Sequence, residues 1–330
     1  MRAPWIGIAF TYVGAVVGAG FASGQEIYQF FTRFGTGGSI GIAIAGCLFA
    51  LLGYKALERG RLTHAQGLHP FLDRVYPQWA VRLAEGMTGA FLLVGLGVVA
   101  SGGGAAISAM LSWPAWVGGW LTLALVAWVT SRGTRAVLGA NTLLVPYLLV
   151  MVIAVVLASR PASSRAIPPV HGVDWLLSAL LYVSYNIFTG VMVLVALGRQ
   201  LSSRRDSAAA ACGGALLLTV IAYLEHRALL TMGVRGPLPL VTLARHVNPG
   251  LGLLFAVSLW IALFTTGVAE AYALRAQGRW WVLFVCGAGA IGLMAFDRMV
   301  AVLYPIMGLL AIFVWFPLFL PTANRHFPEG

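Results

Sequence analysis

Apolar runs of about twenty residues recur from one end of the chain to the other, separated by short breaks rich in charge, proline and glycine. A helix rises 1.5 Å per residue, so each run is long enough to cross a hydrocarbon core about 30 Å thick. The breaks place spans near residues 4–32, 38–57, 81–111, 114–131, 134–158, 173–198, 205–231, 250–274, 279–296 and 299–320. The pattern therefore predicts an all-α, polytopic membrane protein. A competing parse takes Arg2, the apolar stretch Ile6 to Val17 and the small residues Ala19 to Ser23 as a cleavable signal peptide. It would leave nine spans.

Ten spans divide into two sets of five, and an odd number per set inserts the halves with opposite orientation, the inverted-repeat plan of many secondary transporters. The expected division is a first repeat over 1–159, a polar, proline-rich linker over 160–172, a second repeat over 173–321 and a tail over 322–330. Residues 63–82, mixed polar and apolar with Tyr76 and Trp79, read as an interfacial helix.

Composition sharpens this picture. The 330 residues are 60% hydrophobic and 9% charged, against roughly 25% charged in a soluble domain. The net charge of +11 lies in short clusters between spans and forms no basic face, which argues against nucleic acid. With the N-terminus inside, 14 of the 21 Lys and Arg residues fall on the inner side. Both termini are then cytoplasmic and the expected location is the cytoplasmic (inner) membrane, with Trp5, Trp79, Trp113, Trp175 and Trp280 near span ends. Cys47, Cys212 and Cys286 lie inside spans as small core residues without disulfide or metal spacing. None of the six histidines sits at ligand spacing, so no metal centre and no organic cofactor is expected. The motif GxxxxGK[ST] of a nucleotide-driven pump is absent. Ser23 has no mid-span histidine to activate it, which argues against an intramembrane hydrolase and against an enzyme generally.

Two spans carry interruptions at matching places in the halves. The first contains GAVVGAGFASGQE over 14–26, with glycines at 14, 18, 20 and 24; the sixth contains YVSYNIFTG over 182–190. Interior glycine costs about 1 kcal/mol relative to alanine, and an unpaired backbone group in lipid costs several. Unwinding would free carbonyls for a cation and N–H groups for a carboxylate. The residues around such a solute would be Gly18, Ala19, Gly20, Phe21, Ala22, Ser23 and Gly24 with Ser184, Tyr185, Asn186, Phe188, Thr189 and Gly190. The bland reading, GxxxG packing of helices, stays open on the motif alone. In the eighth span Thr265 and Thr266 offer adjacent hydroxyls, which either serve an ion or bond back to their own helix.

The stretch AFTYVGAVVGAGFASGQEI, residues 9–27, resembles the start of the YkvI-type bacterial membrane proteins, a group assigned to the amino acid permeases. That group is similar to a distant branch of the amino acid, polyamine and cation transporter superfamily, so the resemblance implies the LeuT-type fold, with discontinuous first and sixth helices, and a small amino acid or related zwitterion as substrate. It also implies a Na+ site made by the carbonyls of Gly14, Val17 and Ala262 and the hydroxyls of Thr265 and Thr266. An asparagine often found in the first break of sodium symporters is lacking among Ala15, Val16, Ala19 and Phe21, which leaves one ion or none.

Ionisable residues within spans are functional suspects because burying them is expensive. Glu26 follows the first break and could bind a substrate ammonium, carry H+ as an alternative coupling ion, pair with Arg33 in a gate, or favour the start of the resumed half-helix. Glu270, one turn past Thr266, could carry a proton or pair with Arg275 in an inner gate. Glu225, His226 and Arg227 read as the outer end of the seventh span. A membrane sensor that moves no solute is a further alternative.

Overall fold

The computed structural model describes residues 5–63, 78–132, 135–159, 172–277 and 281–315. Among these the chain is all-α, as the pattern predicts. The first span is broken into α1 (Trp5–Val16), α2 (Ala19–Ala22) and α3 (Gln25–Phe30), and a 3₁₀ turn at Thr32–Phe34 leads into α4 (Thr36–Thr63). Then come α5 (Gln78–Leu111), α6 (Ala115–Arg132), α7 (Arg135–Ala158), α8 (Asp174–Gly198) and α9 (Arg204–Met232). The last elements are a short α10 (Pro239–Val247), α11 (Pro249–Gln277), α12 (Trp281–Ile291) and α13 (Phe296–Trp315). By length and composition alone, Thr36–Thr63, Val81–Leu111, Arg204–Met232 and Pro249–Arg275 are long and apolar enough to cross a membrane, while α12 and α13 form a bent pair turning by 116°.

Local chemistry sets several boundaries. At the start of α9 the Ser203 hydroxyl accepts from the Asp206 N–H at 3.1 Å and donates to its carboxylate at 2.8 Å, and Gly233 closes the helix with φ 60°. Pro239 opens α10, where a missing N–H costs nothing.

The helices gather into two bodies. In one, α4 packs against α8 and α9, and α1 packs against α8 and α9. In the other, α5 packs against α6, α11 and α12, around a separate core of Leu96, Leu123, Val126, Val268 and Leu274. Each body thus draws two expected spans from each half. In lipid, association depends on close packing more than on water exclusion, and small residues permit it. A Cβ on Gly60 would overlap the Val195 carbonyl and one on Gly198 the Leu57 carbonyl, so α4 and α8 cross at backbone contact. A Cβ on Gly104 would likewise overlap the Ala115 carbonyl, and one on Gly118 would press on the Ile107 side chain, so α5 and α6 also cross closely.

Several expectations are corrected. The sixth helix is not discontinuous: α8 runs unbroken through 182–190. Its polar groups find partners without opening the backbone, Asn186 Nδ2 donating to the Tyr182 carbonyl at 3.0 Å and Ser184 Oγ to the Gly308 carbonyl at 2.6 Å. The amphipathic α10 between the seventh and eighth spans had no counterpart in the span pattern. The three cysteines are exposed rather than in the core. Glu225 and His226 are fully buried inside α9, not at its end. The tail, Trp280, most of the linker and most of the interfacial segment lie outside the described residues.

Candidate functional site

The site grows from the break in the first span. The ladder of α1 ends with the Val17 N–H on the Val13 carbonyl at 2.8 Å and resumes with Ala22 N–H on Gly18 at 3.0 Å. Gly24 then turns the chain with φ 79°, a left-handed value that glycine adopts without a steric penalty. The Ser23 hydroxyl donates to the Gly20 carbonyl at 2.6 Å and accepts from the Gln25 N–H at 3.1 Å, so the small polar residue of the motif holds the turn itself.

The break is closed on one side only. Phe21, Ala22, Ser23, Gln25 and Ile27 are buried, and α10 docks there with the Leu240 N–H donating to the Ser23 carbonyl at 3.0 Å. Leu240 and Leu229 both lie against Gly24. Gly18, at the other end of the break, is exposed and open around its Cα.

Glu26 folds back over the break. Its carboxylate occupies the place where a Gly20 side chain would stand, with the Phe21 N–H facing it. The N–H end of the resumed half-helix, read from sequence as a seat for a substrate carboxylate, thus already faces a carboxylate of the chain itself. The other oxygen, Oε2, is buried without a hydrogen-bond partner. The Tyr185 hydroxyl lies beside Glu26 and is likewise buried without a bond of good geometry. Arg33 does not pair with Glu26; it lies over the Phe34 ring at 4.6 Å, within the field of Asp174, and burial lowers its pKa.

From α8 the structure brings Tyr185 and Gly190 to the first span. Tyr185 stacks on Phe30 at 5.7 Å, and Gly190 lies under Val16 and Tyr12. Phe188 instead stacks on Phe91 of α5 at 3.8 Å, joining the two bodies. Ser184 and Asn186 are spent on α13 and on α8 itself, as described. The side chains of Ala19 and Thr189 lie outside the described residues.

The expected ion ligands are only partly assembled. Helix α11 meets the first span through α2, directly after Gly14 and Val17. Ala262 and Thr265 are buried and Thr266 is half-buried, but the Thr265 hydroxyl donates to the Ala262 carbonyl at 3.0 Å, the local back-bond that threonine makes in a helix. One turn on, the Glu270 carboxylate lies against Gly95 of α5 with Oε2 unpartnered. Arg275 does not reach it and donates instead to the Thr130 carbonyl at 2.5 Å.

Sequence reasoning missed Glu225, whose two carboxylate oxygens are both buried and unpartnered. It also missed the ring contacts that join Tyr182 and Tyr304 to Tyr185 at 5.8 and 4.7 Å. The rule that flagged Glu26 would have flagged Glu225, had the run Glu-His-Arg not looked like the end of a span.

A broken first span beside α8 and α11, within a pair of helix bodies, defines a fold of the LeuT type. Among solved structures the chain is similar to the inward-facing conformation of Mhp1, with TM-score 0.71 and 14% identity over 96% of this chain and 77% of that one. It is also similar to MhsT in complex with L-phenylalanine (TM-score 0.57, 16% identity, 94% and 80% covered) and to a manganese transporter of Eremococcus coleocola (TM-score 0.53, 15% identity, 92% and 68% covered). In sequence the chain is similar to the uncharacterized membrane protein YkvI of Bacillus subtilis (strain 168), 28% identical over 323 residues and 92% of each chain, which bears out the resemblance read from residues 9–27. The uncharacterized protein YyaD of the same strain is 22% identical over 316 residues and 92% of each chain. No family model matches.

Proposed function

We propose that the chain is a secondary active transporter that carries a small amine-bearing solute, of the amino acid class implied by the first-span motif, across the cytoplasmic membrane by alternating access. Both termini face the cytoplasm in this reading. The observation that carries it is Glu26, a buried carboxylate with an unpartnered oxygen, set at a helix break closed by α10 on one side and open at Gly18 on the other. A buried charge without a partner is expensive in a membrane, and a cargo amine bound there would offset that cost. Tyr185 and Gly190 of α8 flank the same place. The likeness in fold to the manganese transporter of Eremococcus coleocola, and to MhsT with bound L-phenylalanine, supports the reading.

The coupling ion in this reading is Na+, at the carbonyls of Gly14, Val17 and Ala262 and the hydroxyls of Thr265 and Thr266. Binding would require the Thr265 back-bond to give way as α1 and α11 close. A second reading, H+ coupling through Glu270, is favoured by the unpartnered Glu270 Oε2. Uptake of radiolabelled amino acids and amines into proteoliposomes, with Na+ and H+ gradients imposed separately, tests both. The Na+ version expects uptake to follow the sodium gradient and to fall at least tenfold in Thr265→Ala/Thr266→Ala. Uptake indifferent to sodium, or full activity of that variant, refutes it. No flux of any labelled solute under either gradient refutes transport.

A further inference from the structure

Neither the cargo nor the ion reading uses Glu225. It lies fully buried in α9 with both oxygens unpartnered, and α9 packs against α3, the helix that carries Glu26. Leu229, one turn further along α9, touches Gly24, so the face that bears Glu225 is turned toward the break. The Tyr182 ring lies within the fields of both carboxylates.

We infer that Glu26 and Glu225, with the Tyr185 hydroxyl beside Glu26, form one seat for a protonated amine, and that the seat selects a cargo of net positive charge over a zwitterion. This rests on the transport reading and narrows its cargo. Three unpartnered carboxylate oxygens and a hydroxyl accept hydrogen bonds, and an ammonium group supplies only donors. The surroundings are aromatic: Phe30 lies 5.4 Å from Tyr182 and 5.7 Å from Tyr185, and those two lie 5.8 Å apart, so the carboxylates are flanked by π-rich rings rather than by cationic side chains. Two nearby basic side chains are engaged elsewhere, and Arg227 is exposed while Glu225 is buried. His226 is held at both ring nitrogens, by Thr32 at 3.1 Å and Ser39 at 3.0 Å, and Arg33 lies over Phe34. A zwitterion would bring its own carboxylate to a place already facing two, and the helix-end N–H of Phe21 is turned to Glu26. A divalent metal is the poorer occupant, because among the described residues no three His, Cys, Asp or Glu side chains converge.

The test is binding to the purified full chain in phosphatidylcholine nanodiscs, read as ligand-dependent thermal shift with n-butylamine, 1,4-diaminobutane and alanine as probes. Both amines are expected to raise the midpoint at concentrations at least tenfold below those at which alanine acts. Glu225→Gln and Glu26→Gln are each expected to weaken butylamine binding tenfold or more, and Tyr185→Phe severalfold. Glu225→Asp, which keeps the charge, is expected to lose less than Glu225→Gln, and guards against a Gln variant that fails to fold. Alanine binding as tightly as butylamine, or butylamine binding unchanged in Glu225→Gln or in both Glu225→Asp and Tyr185→Phe, overturns the seat. Flux separates the two claims. Amine binding without amine flux under any gradient defeats the transport reading and leaves the seat standing, whereas alanine flux that butylamine does not compete defeats the seat and leaves transport standing.

Discussion

Gly24→Ala probes the docking of α10 on the break. Gly24 has φ 79°, and an L side chain there costs about 1–2 kcal/mol in backbone strain. A Cβ at this position would lie 2.7 Å from Leu240 Cγ and 3.3 Å from the Leu240 backbone nitrogen, and overpacking of this kind costs about 1–3 kcal/mol more. The expected destabilisation is therefore about 2–5 kcal/mol, of which the second part belongs to the contact with Leu240 alone. Leu240→Ala is itself costly, about 2–5 kcal/mol for a fully buried leucine, but it opens the space that the new methyl needs. Thermal unfolding of the purified protein in detergent, followed by tryptophan fluorescence, should then show the double variant more stable than the sum of the singles by at least about 1 kcal/mol. Strict additivity would refute the contact, and a wild-type midpoint for Gly24→Ala would refute the left-handed turn as well.

Three further outcomes are expected. His226→Ala removes the side chain that joins α9 to Thr32 and Ser39 and leaves the buried Thr32 hydroxyl and the half-buried Ser39 hydroxyl without it, for a loss of roughly 1–3 kcal/mol in the same unfolding assay; a loss well below about 1 kcal/mol would mean that water replaces the ring. Glu270→Gln and Arg275→Ala should act additively on thermal stability to within about 0.5 kcal/mol, because Arg275 is bonded to Thr130 instead; a coupling above about 1 kcal/mol would restore the pair expected from sequence. Pro146→Ala and Pro305→Ala each restore a helix-interior donor and should raise the unfolding midpoint while slowing proteoliposome uptake; faster uptake in either variant contradicts a flexing role for the prolines.

What could be read from sequence follows from how local each signal is. The broken first span was legible because glycines at 14, 18, 20 and 24 weaken one short segment, and Glu26 because it stands alone in an apolar run. The break foreseen in α8 was not there. Polar residues such as Ser184 and Asn186 can interrupt a helix or serve it, and only the position of the Gly308 carbonyl on a distant helix decides which. Arg275 illustrates the same limit, since its nearest acid along the helix was Glu270 and its actual partner, Thr130, lies on α6. Helix α10 escaped because nine amphipathic residues match neither a span nor a turn.

The placement of the prolines connects the fold to motion. Besides the short α10, which touches both α9 and α11, the helices that join the two bodies are α7, which packs against α9 and α11, and α13, which packs against α8 and α5. Helices α7 and α13 occupy the fifth and tenth expected spans, the closing positions of the two halves, and each carries an interior proline, Pro146 in α7 and Pro305 in α13. Proline removes one rung from the helical ladder and lowers the cost of bending there. Within each body the contacts are of another kind: glycine Cα atoms rest on backbone carbonyls, as at Gly60 on Val195 and Gly104 on Ala115, and such contacts cannot slide without overlap. Between the bodies Phe91 stacks on Phe188 and α11 meets α2 of the first span, a largely apolar seam among the described residues. Stiff bodies, a smooth seam and two proline-weakened connections are what rocking of one body against the other requires. Glu26 and Glu225, two of the unpartnered carboxylates, lie on the helices that line the break, where the proposed transport cycle would part and close the surfaces.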